Sequence, residues 1–212
     1  MISFVLLAAV VCAAQAAFPC QAPAELTFRA ARHNQGETYF QRFYTEYDRN
    51  NERVVFFEEG VDGRARQAHE FLFLHRPNVG FDYDFRNRRC RRFPVGPFRP
   101  FEVPFNSTFE FEYELGGPNE RVVVDRWSDR IPGRQRETWV GEFTLGQCYP
   151  VSQFVLDFNN FNNTAITHIY DVVSGVVNPN DFDVPAECFN ATVLSEMPYE
   201  ARVARSIYFR SL

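Results

Sequence analysis

From Thr108 to Leu115 the chain reads TFEFEYEL, apolar and acidic residues in strict alternation. A period of two puts every second side chain on the same side of an extended strand, so the run has one dry face and one wet face. Phe81–Phe85 (FDYDF) repeats the pattern in miniature. Arg53–Phe57, Phe71–Leu74, Arg121–Val124, Thr138–Leu145, Val151–Phe158 and Ile166–Val177 are rich in β-branched and aromatic residues, the composition of strands. Turn residues punctuate them at Gly60–Gly63, Pro77–Asn78, Gly116–Asn119 and Pro132–Gly133. The spacing predicts an all-β antiparallel domain of about 10–11 strands. Pro94–Pro104 (PVGPFRPFEVP) cannot be a central strand and reads as a loop crossing between sheet regions. Ala204–Phe209 is the one strand expected in the tail, and no internal repeat is present.

The N-terminus sets the compartment. Ile2–Ala14 is an uncharged apolar run followed by Gln15-Ala16-Ala17, too short to span a bilayer and ending in small residues. Residues 1–17 are therefore expected to be a secretory signal peptide, leaving 18–212 as a single β domain. Cys12 leaves with it, and Cys20, Cys90, Cys148 and Cys188 remain, spaced too widely for a zinc motif. An even number in an oxidising compartment predicts two disulfides, with three connectivities open. Asn106, Asn162 and Asn190 each open an N-x-S/T glycosylation sequon. The expected location is secreted and extracellular, with a lysosomal location as the variant.

Function classes narrow by exclusion. The net charge of −5 offers no global attraction to nucleic acid. All 22 basic residues are Arg, so chemistry needing a lysine amine is absent. No later run approaches the 18 apolar residues of a membrane span, and no G-x-S-x-G elbow appears. The chain is expected not to be an enzyme.

A set of short elements then points to a family. Cys20-Gln-Ala-Pro23, Tyr44-x-x-Tyr47-Asp48-x-x-Asn51-x-Arg53-Val54, Phe81-Asp-Tyr-Asp84, Cys90 and Phe98-Arg99-Pro100 come first. Leu115-Gly116, Val124-x-x-Trp127, Cys148-Tyr-Pro150-Val151, Tyr170-x-x-Val173 and Asn178-Pro179-x-x-Phe182-x-x-Pro185-x-x-Cys188 follow. In this order they resemble the ependymin family across nearly all of 20–188. The resemblance implies two stacked antiparallel sheets curving around a deep apolar pocket, as in bacterial lipoprotein carriers. It also implies secreted or lysosomal glycoproteins, often homodimers, that bind hydrophobic molecules such as lipids, some with calcium. It pairs Cys20 with Cys148 and Cys90 with Cys188. Leu26 stands where an aromatic is common, and the usual Lys and Arg mixture is all Arg.

Candidate sites follow from residue type. An acyl chain needs an apolar lining with little competing polar surface. Phe109, Phe111 and Tyr113 are the leading candidates by alternation, followed by Phe71, Phe73, Phe143, Phe154, Val155 and Phe158; the competing expectation is a solid sandwich core. Aromatic residues make up 17% of the chain, an excess that favours a cavity. Arg86, Arg88, Arg89, Arg91 and Arg92 lie within seven residues and suit an anionic partner, because guanidinium forks match phosphate and sulfate. The same stretch also reads as a solvated strand edge or a proprotein-cleavage site. No cofactor is expected apart from an optional calcium, to which Asp181 and Asp183, near Asn178 and Asn180, offer oxygens. His69 and His75 are too far apart along a strand, roughly 20 Å, to share an ion, and are expected at the surface. The expected function is a carrier of a hydrophobic ligand, a lipid or fatty acid, without catalysis. The alternative is a matrix or cell-adhesion glycoprotein acting through calcium and surface contacts.

Overall fold

A computed structural model describes residues 18–208 except 37, 39, 60–68, 132–136 and 157–163. The signal-peptide reading, Phe158 and Asn162 lie outside the described residues. Twelve strands form one hydrogen-bonded sheet: β1 Glu25–Asn34, β2 Gln41–Asp48, β3 Arg53–Glu58, β4 His69–Leu74, β5 Val79–Asp84, β6 Arg89–Phe93, β7 Thr108–Gly117, β8 Glu120–Ser128, β9 Trp139–Thr144, β10 Pro150–Val155, β11 Ala165–Ser174 and β12 Thr192–Val193. The order is β12-β6-β5-β4-β3-β2-β1-β11-β10-β9-β8-β7. Two antiparallel meanders, β1–β6 and β7–β11, are thus fused by the β1–β11 ladder, where Ala30 faces Ile169. The expected pair of sheets is a single continuous sheet, because β1 hydrogen-bonds on both edges.

Cross-strand partners share a face. Leu26, Phe28 and Ala30 of β1 face Tyr47, Thr45 and Phe43 of β2, and Val54 and Phe56 of β3 pair with Phe73 and Phe71 of β4. These form the inner face and much of the main core, all at most 1% exposed. The segment 94–104 is the expected crossing loop. It lies over this face, with Phe101 against Phe28, Tyr47 and Phe143 at ring separations of 6.1–6.3 Å. Cys20 bonds to Cys148, tying the N-terminal segment to the β9–β10 turn. Each bridge closes a loop on the order of 100 residues, which in the chain-entropy model stabilises by about 4–5 kcal/mol.

The C-terminal segment forms a clasp. After β11 it crosses the outer face, with the Gly175 amide donating to the Glu25 carbonyl and the Asn178 amide to Glu46 Oε1. Phe182 takes the Arg53 guanidinium over its ring at 4.1 Å and packs in a second core with Val55, Leu72 and Phe81. Cys188 bonds to Cys90 of β6. β12 then pairs in parallel with β6, and the chain rounds the sheet edge to the inner face. There Tyr199–Arg205 is a helix, α1. In place of the strand expected at 204–209, residues 204–205 end this helix and 206–208 form a turn, while 209 lies outside the described residues. Ala201, Ala204, Ile207 and Tyr208 recur at helical spacing and are all at most 4% exposed, so one face seals the core. Pro198 stands before its first turn, Glu200 lies in that turn and Arg202 and Arg205 in the last, as the helix dipole favours.

Candidate functional site

The inner face is the apolar surface from which a ligand site can be built. It runs from Phe71 and Phe73 through β1 to Trp139, Phe143 and Trp127. At its β7 end, Phe109 stands edge-on to Trp127 at 5.3 Å and remains 38% exposed. Trp127 itself is 1% exposed, and its indole Nε1 has no hydrogen-bond partner among the described residues. On β1, the fully buried Asn34 likewise leaves Nδ2 without a partner among them. A buried donor left unpaired costs about 1–3 kcal/mol, so each marks a place where an acceptor would stabilise the molecule. Gly141 lets the Trp139 indole lie across the strand: a Cβ there would sit 2.3 Å from Trp139 Cζ2.

The leading sequence candidates do not share this face. A β-bulge between Phe109 and Phe111 shifts the β7 register, so Phe109 faces Trp127 while Phe111 faces Arg126 and Tyr113 faces Val124. An inserted residue moves all later side chains to the other side. Phe111 and Tyr113 are therefore on the outer face, with the Arg126 guanidinium over the Phe111 ring at 5.5 Å. Phe154, opposite Ile166 and Val140, is also outer, while Phe143, Phe71, Phe73 and Val155 are inner. Of the leading trio, only Phe109 borders the aromatic inner face.

Inner closure involves two residues that sequence reasoning assigned otherwise or missed. His75 is not at the surface but 5% exposed, its Nδ1 2.9 Å from the Gly96 carbonyl and its Nε2 2.8 Å from the Tyr208 hydroxyl. Burial, aided by the Arg205 charge, lowers its pKa against the pull of the Gly96 bond. His69 is half-buried, with Nδ1 2.7 Å from Asp82 Oδ1. Burial alone would lower its pKa, but the Asp82 carboxylate, with Glu58 and Asp84 near, raises it.

On the outer face the clasp covers carboxylates. Glu46 is fully buried, with Oε1 accepting from Tyr44 and the Asn178 amide and Oε2 without a hydrogen-bond partner among the described residues. Burial raises its pKa. Glu70 is pushed up to about 7 by burial and by the Asp181 and Glu187 charges. Asp181 already accepts from Asn178 Nδ2, and Asp183 is exposed at the end of a 3-10 turn. Among the described residues no group of three or more His, Cys, Asp or Glu is placed to hold a metal. Asn106 is exposed in a turn and Asn190 at the end of a 3-10 helix, Ala186–Asn190. Among the described residues no helix is long and apolar enough to cross a membrane.

The Arg cluster occupies the β5–β6 hairpin. Arg91 donates to Asp82 and reaches Glu200, whereas Arg86, Arg88, Arg89 and Arg92 are in no ion pair with a described carboxylate. β12 covers part of the β6 edge.

Comparison with known proteins agrees with the sequence resemblance. Residues 63–188 match the Ependymin family model. Mammalian ependymin-related protein 1 of Rattus norvegicus is 34% identical over 175 residues, 82% of this chain and 77% of that protein. An uncharacterized conserved protein from Thermus thermophilus superposes over 80% of this chain and 90% of its own, with a TM-score of 0.52 at 10% identity, a likeness of fold alone. A LolA superfamily protein from Nitrosomonas europaea aligns over 78% of this chain and 91% of its own, with a TM-score of 0.34 at 7% identity, too distant to bear on the ligand.

Proposed function

The chain belongs to the ependymin family, and we propose that it is a secreted, glycosylated, non-catalytic carrier of a hydrophobic ligand, a lipid or fatty acid, held on the inner sheet face. The observation that carries this reading is the aromatic inner face, which ends at a part-exposed Phe109 beside a buried Trp127 whose donor has no partner among the described residues. An apolar chain would pack against the part-exposed Phe109 ring at this edge, each buried CH2 contributing about 0.8 kcal/mol. A carbonyl or carboxylate head would accept from Trp127 Nε1. The two disulfides suit an oxidising compartment, secreted or lysosomal.

The uncovered outer face of β7–β11 supports a homodimer. Phe111, Leu115, Val122 and Ile166 are 40–49% exposed there, and no described segment packs over them. Exposed apolar residues on an uncovered sheet face suit contact with a partner. In the alternative reading, as a matrix or adhesion glycoprotein, the same face would meet another protein, with calcium at the clasp acids.

Trp127 and Trp139 are the chain's two tryptophans, both on the inner face, so they report on the site directly. Titration with N-phenyl-1-naphthylamine is expected to quench tryptophan emission by energy transfer to the bound probe. Phe109→Glu should weaken probe uptake about tenfold or more, the equivalent of ~1.4 kcal/mol. Phe111→Glu, two residues on but on the other face, should leave it unchanged. Equal effects from both variants would rule out the inner face as the site.

A further inference from the structure

Beside the β5–β6 turn lies a half-open cleft of about 710 Å³, bordered by Arg88, Arg89, Arg91, His69, Asp84 and Glu187. Three arginines and a histidine line it against two acids, and the acids are already committed. Asp84 caps the turn: Oδ1 accepts from the amides of Arg86 and Asn87 at 2.9 and 3.0 Å, and Oδ2 from Asn87 Nδ2 at 2.6 Å. Asp82, behind the cleft, spends one oxygen on His69 and the other on Arg91. Glu187 takes the Tyr83 hydroxyl. Arg88 and Arg89 pair with no described carboxylate, so two guanidinium forks remain uncommitted at the cleft wall.

Arg88 also occupies an unusual backbone position. Its φ is +49°, the left-handed region where Gly or Asn is the ordinary choice. The turn would close at least as well with glycine, so the turn itself does not account for an arginine here.

We propose that this cleft binds a phosphate group, free or as a monoester, through the Arg88 and Arg89 guanidiniums. Each fork matches two oxygens of a tetrahedral oxyanion, and two forks together match its double charge. The site is independent of the hydrophobic-ligand reading: it lies on β4–β6, at the other end of the strand order from Trp127 and Phe109. Asn190, a glycosylation sequon, also lines the cleft, so an attached glycan would stand at its mouth.

The test is a titration of the secreted chain, and of Asn190→Gln to clear the mouth, with inorganic phosphate at fixed ionic strength. Arginine Nε–H resonances report the binding. Saturable shifts confined to Arg88 and Arg89, absent with chloride, are expected. The double variant Arg88→Gly/Arg89→Gln should weaken phosphate binding at least tenfold while its thermal midpoint and naphthylamine uptake hold. A second arm uses phosphatidylcholine vesicles with and without 20% phosphatidic acid. Cosedimentation that requires phosphatidic acid and is lost in the double variant assigns the phosphate to a lipid headgroup. Phosphate binding without vesicle binding assigns it to a soluble source. Shifts that are equal in chloride, or binding retained by the double variant, would overturn the proposal, as would no binding in either arm. None of these outcomes bears on the inner face, which the naphthylamine titration tests by itself.

Discussion

The two ends of the sheet are built from the same kind of strand and finished differently. Strands β3–β6 are covered on both faces by one C-terminal segment, outside through Phe182 and Cys188 and inside through α1 and Tyr208. No described segment packs over the outer face of strands β7–β11, which presents Phe111, Val122 and Ile166 to solvent. Covered on both faces, a sheet region keeps only its turns for recognition; with one face bare and a part-open aromatic edge, it has sheet surface left for ligands and partners.

The largest expected effect falls on the clasped end. Cys188→Ser frees the clasp from β6 and should cost about 4–5 kcal/mol, measured by urea denaturation of the purified chain. A loss below ~1 kcal/mol would mean that the clasp holds without its bridge. The same residue type then behaves differently at the two ends. Phe56→Ala, from the fully buried inner core, should cost about 3–5 kcal/mol. Phe111→Ala, on the bare face and 48% exposed, should stay within about 0.5 kcal/mol. Comparable losses would erase the distinction between the ends.

Acid should act on the two arms of the clasp in opposite directions. Glu70 is raised to about 7, chiefly by burial, so its neutral form suits the fold. Its contribution is present at low pH and is lost as pH rises through that value. Glu46 is raised by burial in the same sense. His75 is lowered by burial, so its contribution is present above the ordinary histidine range and is lost as pH falls below about 6.5. Hydrogen exchange between pH 8 and pH 5.5, corrected for intrinsic rates, should therefore show residues 176–191 gaining protection on acidification while 199–208 lose it. Parallel changes in both arms would contradict the assignment. The smallest effect on stability is expected from Ile166→Arg on the bare face. It should shift a dimer to monomer in light scattering without moving the thermal midpoint; a mass unchanged by the substitution would exclude this face as the dimer contact.

How much of this could be read in the sequence depended on where charge sits. Phe71–Leu74 is legible because burial and hydrophobicity coincide there, and Thr108–Leu115 because its alternation marks a strand although its apolar residues stay part-exposed. β1 is hidden because its inner row ends in Arg32 and Asn34, both fully buried, and β6 because it is mostly arginine. The helix α1 is short, and its apolar residues are small, so Ala204–Tyr208 passes for a strand. The bulge at Phe109/Phe111 is invisible to alternation, which continues unbroken through it, and it divides the predicted aromatic trio between faces. The disulfide pairing came from family resemblance and not from spacing, and the structure contains that pairing. The His75–Tyr208 contact spans 133 residues, a separation no local pattern encodes.

The decisive measurement is native mass spectrometry of the secreted, deglycosylated protein, followed by organic extraction and lipid analysis of what it carries. A hydrophobic carrier predicts one lipid or fatty acid per chain or per dimer, released on extraction and absent from the Phe109→Glu variant. An empty protein that also takes up no naphthylamine probe would show that the inner aromatic rings form a closed core, and the carrier account would be wrong.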